Sequence, residues 1–499
     1  MSRKLGKIAS AIGVFLFFLA LLLLVVNLWI QWRFGPIGLD LIILYLSLPL
    51  TGVDIRYFVS LSLFLLGVLS ISSVFGFLVF KSYSREKVLG FHSVFFRCFA
   101  ILFAAGFLCF AAWRIDHNYK VVDTFYIDTS YYTYFEENVV INAASDIAFP
   151  AGKKNMVLII VESMEATVNE SSIFNPMLMP RLHDLQQRSL GFSRHHESYG
   201  TKFSLSSFYS MLMGVPFLSM LSRHRFINIF NLDIDEMEWD PDGERRQIEY
   251  TGVSLPGVLE SHGYQVELFR CASIRFNSLD EFLSRATVDC KIFDFDYFRA
   301  NRDDWEAHRN SWGVDDDYLF ERIKERLLDK EHAEQPYFLM VQTVNTHSPG
   351  FYVSDRPRRW NDYRDSFLQT DGVIADFIQW VQERGLGDNV CIAVVGDHLV
   401  GESNIGPVTL PPREDRGIFC MVIDSAVNSA RSSRERHFAT WDLPPTFLEA
   451  MGAQLPQNKF GVGTSLFSDK QTMFEQFGVS KADEMLQKRS RLYEQHYIW

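Results

Sequence analysis

Three stretches almost free of charge constrain this chain more than anything else in it. Residues 11–32 and 57–80 carry no charged side chain, and residues 91–113 carry only Arg97. About 20 apolar residues cross the hydrocarbon of a bilayer at about 1.5 Å per residue, so each stretch is long enough to span. Arg97 would have to snorkel or meet headgroups. The first stretch follows Arg3, Lys4 and Lys7, as a secretory signal would. It is longer than such a signal, lacks a small-residue cleavage site and ends at Trp29 and Trp32, an interfacial pattern. A retained helix is expected.

Basic residues orient the spans. Arg3, Lys4 and Lys7 precede the first, Arg33 and Arg56 lie before the second, and Lys81, Arg85, Lys87 and Arg97 cluster before or at the third. The positive-inside rule puts the N-terminus and the second loop in the cytoplasm. Residues 37–53 are apolar but short for a span and contain Asp40 and Pro49, so they read as an interfacial segment on the outer face. Three crossings place everything after residue 113 outside the inner membrane, in the periplasm or extracellular space.

The charge divides at the same point. Up to Trp113 there are 9 Lys/Arg against 3 Asp/Glu, and beyond it 39 against 57. An acidic domain on a basic anchor is no nucleic-acid binder, which would need a basic footprint.

Residues 114–150 are polar and aromatic, with Tyr131, Tyr132 and Tyr134 close together, and read as a juxtamembrane linker. Beyond them, residues 156–161, 337–343, 390–395 and 417–423 are apolar runs rich in β-branched residues, with a weaker run at 265–269. Such runs suit strands buried on both faces. Helix-like patterns at 255–262, 318–330 and 370–385 lie between them, two ending at Gly263 and Gly385. The fold expected is an α-helical transmembrane anchor plus an α/β extracytoplasmic domain with a mostly parallel sheet flanked by helices. Residues 151–470 would form that domain and 471–499 a C-terminal tail.

In such sheets, sites form where strands end. Glu162-Ser163 follows the first run, Asn345-Thr346-His347 the 337–343 run and Asp397-His398 the 390–395 run. Two carboxylates and an imidazole suit one divalent ion, Zn²⁺ or Mn²⁺. Cys391 and Cys420 lie inside strand patterns and read as core. Cys271 and Cys290 are 19 positions apart, a spacing that does not decide whether they pair. A nucleophile is expected in the segment 199–216. There a turn at Gly200 leads into helical periodicity at Leu205, Phe208 and Leu212. Ser204 stands at the first turn of that helix, where the dipole favours an anion.

Seven motifs in order carry a resemblance. They are Glu162-Ser163, Gly200-Thr201-Lys202-Phe203-Ser204, Gly214-Val215-Pro216, Trp312-Gly313-Val314-Asp315-Asp316, Asn345-Thr346-His347-Ser348-Pro349, Asp397-His398 and Asp442-Leu443-Pro444-Pro445-Thr446-Phe447. Together they resemble the membrane-anchored, sulfatase-like branch of the alkaline phosphatase superfamily. That branch includes lipoteichoic acid synthases, phosphoethanolamine transferases and the periplasmic phosphoglycerol transferases of osmoregulated glucans. The resemblance implies a sulfatase-like fold with Glu162, Ser204, Asp397 and His398 as metal ligands and Ser204 as nucleophile, where the family usually has threonine. It also implies that His347, Arg275 and Trp312 face the substrate, although the Arg275 region matches only loosely.

The implied reaction moves phosphoglycerol from phosphatidylglycerol, the donor lipid, to an envelope glycan or glycolipid acceptor. Phosphoethanolamine transferases, the nearest alternative, usually carry several disulfides, and six cysteines are too few for that pattern. A sulfatase needs Cys/Ser-x-Pro-x-Arg at its nucleophile, and Ser204-Leu205-Ser206-Ser207-Phe208 lacks both the Pro and the Arg.

Overall fold

The structure, a computed structural model, describes residues 3–34, 42, 55–84, 91–119, 121, 134–140, 144–150, 152–218, 254–276, 279–331, 334–351, 362–401, 405–406, 408–427, 435–486, 488 and 490–496. Apart from Ile42, the segment expected at the interface lies outside these residues, as do Tyr131 and Tyr132. The chain divides into two compact units, Met1–Ile127 and Asp128–Trp499.

The first unit is three helices, α1 (Arg3–Phe34), α2 (Ile55–Ser84) and α3 (Phe91–Tyr119). Each holds a segment long and apolar enough to cross a membrane. All three helices outrun the stretches expected, α3 continuing past Trp113 through Arg114 and Asp116, because helical hydrogen bonding need not stop where the apolar run does. Aromatic rings and polar contacts join them. Phe17 stacks on Phe75 at 4.1 Å and on Phe107 at 5.6 Å. Trp29 Nε1 donates to Ser60 Oγ, and Asn118 Nδ2 to Asn27 Oδ1.

The second unit is built on a seven-stranded sheet. Its strands are β1 (Asn155–Val161), β2 (Leu190–Gly191), β4 (Gln265–Arg270), β5 (Lys291–Phe293), β6 (Tyr337–Gln342), β7 (Val390–Gly396) and β8 (Cys420–Ile423), while β3 (Arg194–His195) pairs separately with β9 (His437–Phe438). The order across the sheet is β2-β8-β7-β1-β6-β4-β5. The five strands from β7 to β5 are parallel, with β1 at their centre. The sheet is therefore mostly parallel, as expected, but β8 runs antiparallel to β7 and β2 antiparallel to β8.

The apolar runs are buried on both faces. Val157, Ile159 and Val161 join a core with Leu339, Val341, Ile392 and Val394, covered by Leu319 and Ile323 of the helix Asp316–Asp329 and by Phe377 and Ile378 of the helix Asp362–Glu383. Leu158, Ile160, Leu268 and Met340 alternate with these and are equally buried.

Two stretches outside residues 151–470 pack into the same unit. Phe135 meets Tyr493 ring to ring at 5.2 Å, and the Tyr493 hydroxyl donates to Pro216 O while accepting from Leu218 N. The C-terminal stretch, expected as a tail, forms the helices Met473–Phe477, Val479–Leu486 and Arg491–His496, with Phe474, Met485 and Leu486 buried.

Cys271 and Cys290 are free thiols. Cys271 follows β4 and Cys290 precedes β5, and parallel pairing puts those two points at opposite ends of this strand pair. A separation of about five residues along a strand, at about 3.3 Å each, is well beyond disulfide reach.

Candidate active site

The carboxyl ends of β1, β6 and β7 lie side by side, and each releases its chain into a loop that carries polar side chains. β7 ends at Gly396, where a Cβ would fall 1.7 Å from Met164 O, so only glycine lets the two loops approach. Asp397 follows. Its backbone N–H donates to Val161 O, and its Oδ1 accepts from Ser163 N and His398 N, each at 2.7 Å. Ser163 adopts φ +53°, a left-handed conformation that costs about 1–2 kcal/mol for a non-glycine residue. That turn aims its N–H at Asp397 and leaves Glu162 facing the cluster.

Ser204 arrives from another direction. Gly200 turns the chain at φ +81°, with Phe217 O too close to admit a Cβ, and the helix Ser204–Met213 starts four residues later. The Ser204 hydroxyl donates to Glu162 Oε2 at 3.2 Å and lies 3.3 Å from His398 Nε2. Its neighbours are committed elsewhere. Thr201 Oγ1 donates to Ser198 O, Ser206 Oγ to Phe203 O and Ser207 Oγ to Thr201 O. The structure thus brings Glu162, Ser204, Asp397 and His398 together.

Ligand atoms of Glu162, Asp397 and His398 all lie within 4.8 Å of one another. His398 Nδ1 donates to Leu399 O, which orients the ring and leaves Nε2 facing the carboxylates. Asp397 Oδ2 is buried with no hydrogen-bond partner, and His398 Nε2 lies 3.5 Å from it. Burial pushes the Asp397 carboxyl up to about 7, and the charge of Glu162 adds to this. Burial alone would lower His398, but Asp397 and Glu162 raise it to about 10. Burial would raise Glu162, yet the hydrogen bond and charge of His398, with the charge of His347, hold it well below the carboxylate range. Protons therefore sit on groups that a cation would displace, and the donor set fits one divalent ion.

His347 lies in the loop after β6, with Nδ1 donating to Ser348 O and Nε2 left over. Its ring packs on Trp312 at 4.4 Å, and Trp312 meets Phe276 edge-on at 5.0 Å. The loop is held by Asp316, whose Oδ1 accepts from Val344 N and Asn345 N and whose Oδ2 accepts from Thr370 Oγ1. Arg275 is exposed, and among the described residues no hydrogen bond or ion pair joins its side chain to the cluster. The Asp442-Leu-Pro-Pro-Thr446 motif serves packing instead. Asp442 accepts from Ala439 N and Thr464 N, and Thr446 Oγ1 accepts from Leu466 N.

Reading the strand ends gave no role to several further residues. Thr343 Oγ1 accepts from Glu162 N, and Thr346 Oγ1 donates to Glu162 O, so the β6 loop fixes the Glu162 backbone. Glu165 forms a fully buried pair with Arg416 at 2.6 Å and accepts from Val400 N, which ties the β1 loop to the β7 loop. Arg270 ends β4 in a buried position. The signal for Arg270 was a charge at the end of an apolar run.

A family model described as Sulfatase matches residues 154–453. Phosphoglycerol transferase I of Escherichia coli O6:K15:H31 (strain 536 / UPEC) is 24% identical over 336 residues, which cover 66% of this chain and 41% of that protein. The protein of the same name from Citrobacter koseri is also 24% identical, over 340 residues and the same shares. The chain thus spans about two-fifths of the length of these relatives. Among solved structures, the lipoteichoic acid synthase LtaP from Listeria monocytogenes superposes with a TM-score of 0.48 at 16% identity, covering 66% of this chain and 79% of that one. The lipooligosaccharide phosphoethanolamine transferase EptA from Neisseria meningitidis gives 0.43 at 15%, covering 81% and 70%.

Proposed function

Because the chain belongs to the sulfatase family, we propose that it is a membrane-bound phosphotransferase that moves phosphoglycerol from phosphatidylglycerol to an envelope glycan or glycolipid through a phosphoserine on Ser204. The observation that carries this reading is the Ser204 hydroxyl, the one in its segment that reaches both Glu162 and His398. The relatives named phosphoglycerol transferase support the choice of group transferred.

Glu162, Ser204, Asp397 and His398 would hold the divalent cation, Mn²⁺ or Zn²⁺. When bound, it withdraws charge from the phosphodiester and lowers the pKa of the Ser204 hydroxyl. In the first half-reaction Ser204 Oγ bonds to phosphorus and the bond to the diacylglycerol oxygen breaks. The hydroxyl gives up one proton and the departing oxygen takes one up. In the second, an acceptor hydroxyl attacks, the P–Oγ bond breaks and Ser204 recovers its proton. His347 directs Nε2 to a phosphoryl oxygen, and Trp312 walls the glycerol side. The donor headgroup is available only at a bilayer surface, which gives the three apolar helices their purpose. On the positive-inside rule the second unit lies outside the inner membrane.

Incubation of the purified protein with labelled phosphatidylglycerol and Mn²⁺, followed by peptide mass spectrometry, tests this. Phosphoglycerol should appear on the Ser204 peptide. Ser204→Ala should lose it and reduce turnover by several orders of magnitude, whereas Ser204→Thr should keep it. Label persisting in Ser204→Ala would remove the nucleophile assignment.

A further inference from the structure

Arg270 and Arg416 are both buried arginines in the second unit, and they are held in opposite ways. Arg416 is enclosed with a carboxylate. Its Nε donates to Glu165 Oε1 and its Nη2 to Glu165 Oε2 and Val400 O. Arg270 is 6% exposed, its Nη1 is buried with no partner, and among the described residues it makes no ion pair. The carboxylates whose charges act on it most are Asp294 and Glu162. Asp294 accepts from Ile274 N and Tyr297 N, and Glu162 accepts from Ser163 and Ser204. Burial lowers the guanidinium to about 10, so it stays charged at neutral pH.

Its position follows from the strand register. Arg270 pairs with Gln342, and Gln342 with Ile160. Neighbours in a parallel sheet share a face, and Glu162 lies two residues beyond Ile160 on that same face. Gln342 Oε1 is also buried without a partner. β6, next to β1, and β4 beyond it therefore both end on the face of Glu162 in polar groups that the protein leaves unmatched. A buried, unpaired cation is expensive, and a site that binds an anion would justify it.

We propose that Arg270 binds the substrate's phosphoryl group, its guanidinium meeting the non-bridging oxygens while Ser204 attacks. This rests on the reading of the site as phosphotransferase. The planar fork suits two oxygens of a tetrahedral phosphate better than an ammonium does. The cation also offsets the charge that builds on those oxygens in the transition state.

Calorimetric titration of the full-length, Mn²⁺-loaded protein with inorganic phosphate tests the assignment without turnover. Arg270→Gln should weaken phosphate binding about 10- to 100-fold. Arg270→Lys, which keeps the charge and most of the volume, should weaken it less. For Arg270→Ala, added guanidinium chloride should restore part of the affinity at millimolar concentration, and sodium chloride at equal ionic strength should not. Should Arg270→Gln fail to fold, the Lys and Ala variants carry the test. Unchanged phosphate affinity in a folded variant, with lowered stability alone, would overturn the proposal in favour of a water-bridged Arg270–Gln342 pair. Labelling of Ser204 by phosphatidylglycerol keeps the two readings apart. Wild-type label with unchanged affinity in the variants refutes the Arg270 role alone, while absence of wild-type label refutes the phosphotransferase reading beneath it.

Discussion

Asp316 closes a motif that looks like part of the site, and it works as a strut. Its carboxylate is fully buried and takes two backbone N–H groups from the His347 loop and one hydroxyl from Thr370. Burial outweighs those bonds and raises its pKa from 3.8 to about 6. A raised acid keeps its proton longer in the folded state, so its contribution to stability is full below about pH 4 and is lost as pH climbs to about 6. The loss is about 3 kcal/mol at most. Asp316→Asn retains one carbonyl oxygen for the backbone donors and lets Thr370 reverse its hydrogen bond. It should flatten that slope, seen as the difference between wild-type and variant denaturant midpoints from pH 4 to 8. Parallel slopes would show that Asp316 does not titrate there.

Residues of this kind explain what could be read in advance. Glu162, Asp397 and His398 were legible because each directly follows an apolar run. Ser204 was legible because a glycine turn and helical periodicity locate the first turn. Arg270 was not, because a charge ending an apolar run looks the same whether it turns to solvent or inward.

At the level of elements, the strand ends stay aligned because the loops are tied to one another. The Glu165–Arg416 pair links the loop after β1 to the loop after β7 and to the chain entering β8. Both side chains are fully enclosed. Arg416→Met should destabilise the second unit by about 3–5 kcal/mol, because it leaves a carboxylate buried alone. Adding Glu165→Gln should recover part of that, and chemical denaturation of the three variants measures both. A loss below about 1 kcal/mol in Arg416→Met would mean that water reaches Glu165.

The strands themselves were predicted to within a residue or two at β1, β6 and β7 because they are continuous apolar runs. The direction of β8 was not legible, since an apolar run has no polarity. The two- and three-residue strands β2 and β5 are too short to show any period.

For the molecule as a whole, three apolar helices and the basic residues between the second and third imply a sidedness. A reporter active only outside the inner membrane should be active when fused after Trp499 and silent when fused at Lys87. The reverse pattern would mean that residues 37–53 also cross. The strand order has a further consequence, in time. β1 is the first strand of its sheet to be synthesised, yet its neighbours are β6 and β7, which end at Gln342 and Gly396. Until the chain has been made past Gln342, β1 has neither flank, and until it has been made past Gly396, β7 is missing and Asp397 and His398 do not exist. An unfinished chain therefore holds an unpaired apolar strand while the residues up to β6 are added, and it cannot assemble the Glu162–Asp397–His398 cluster before β7 is complete.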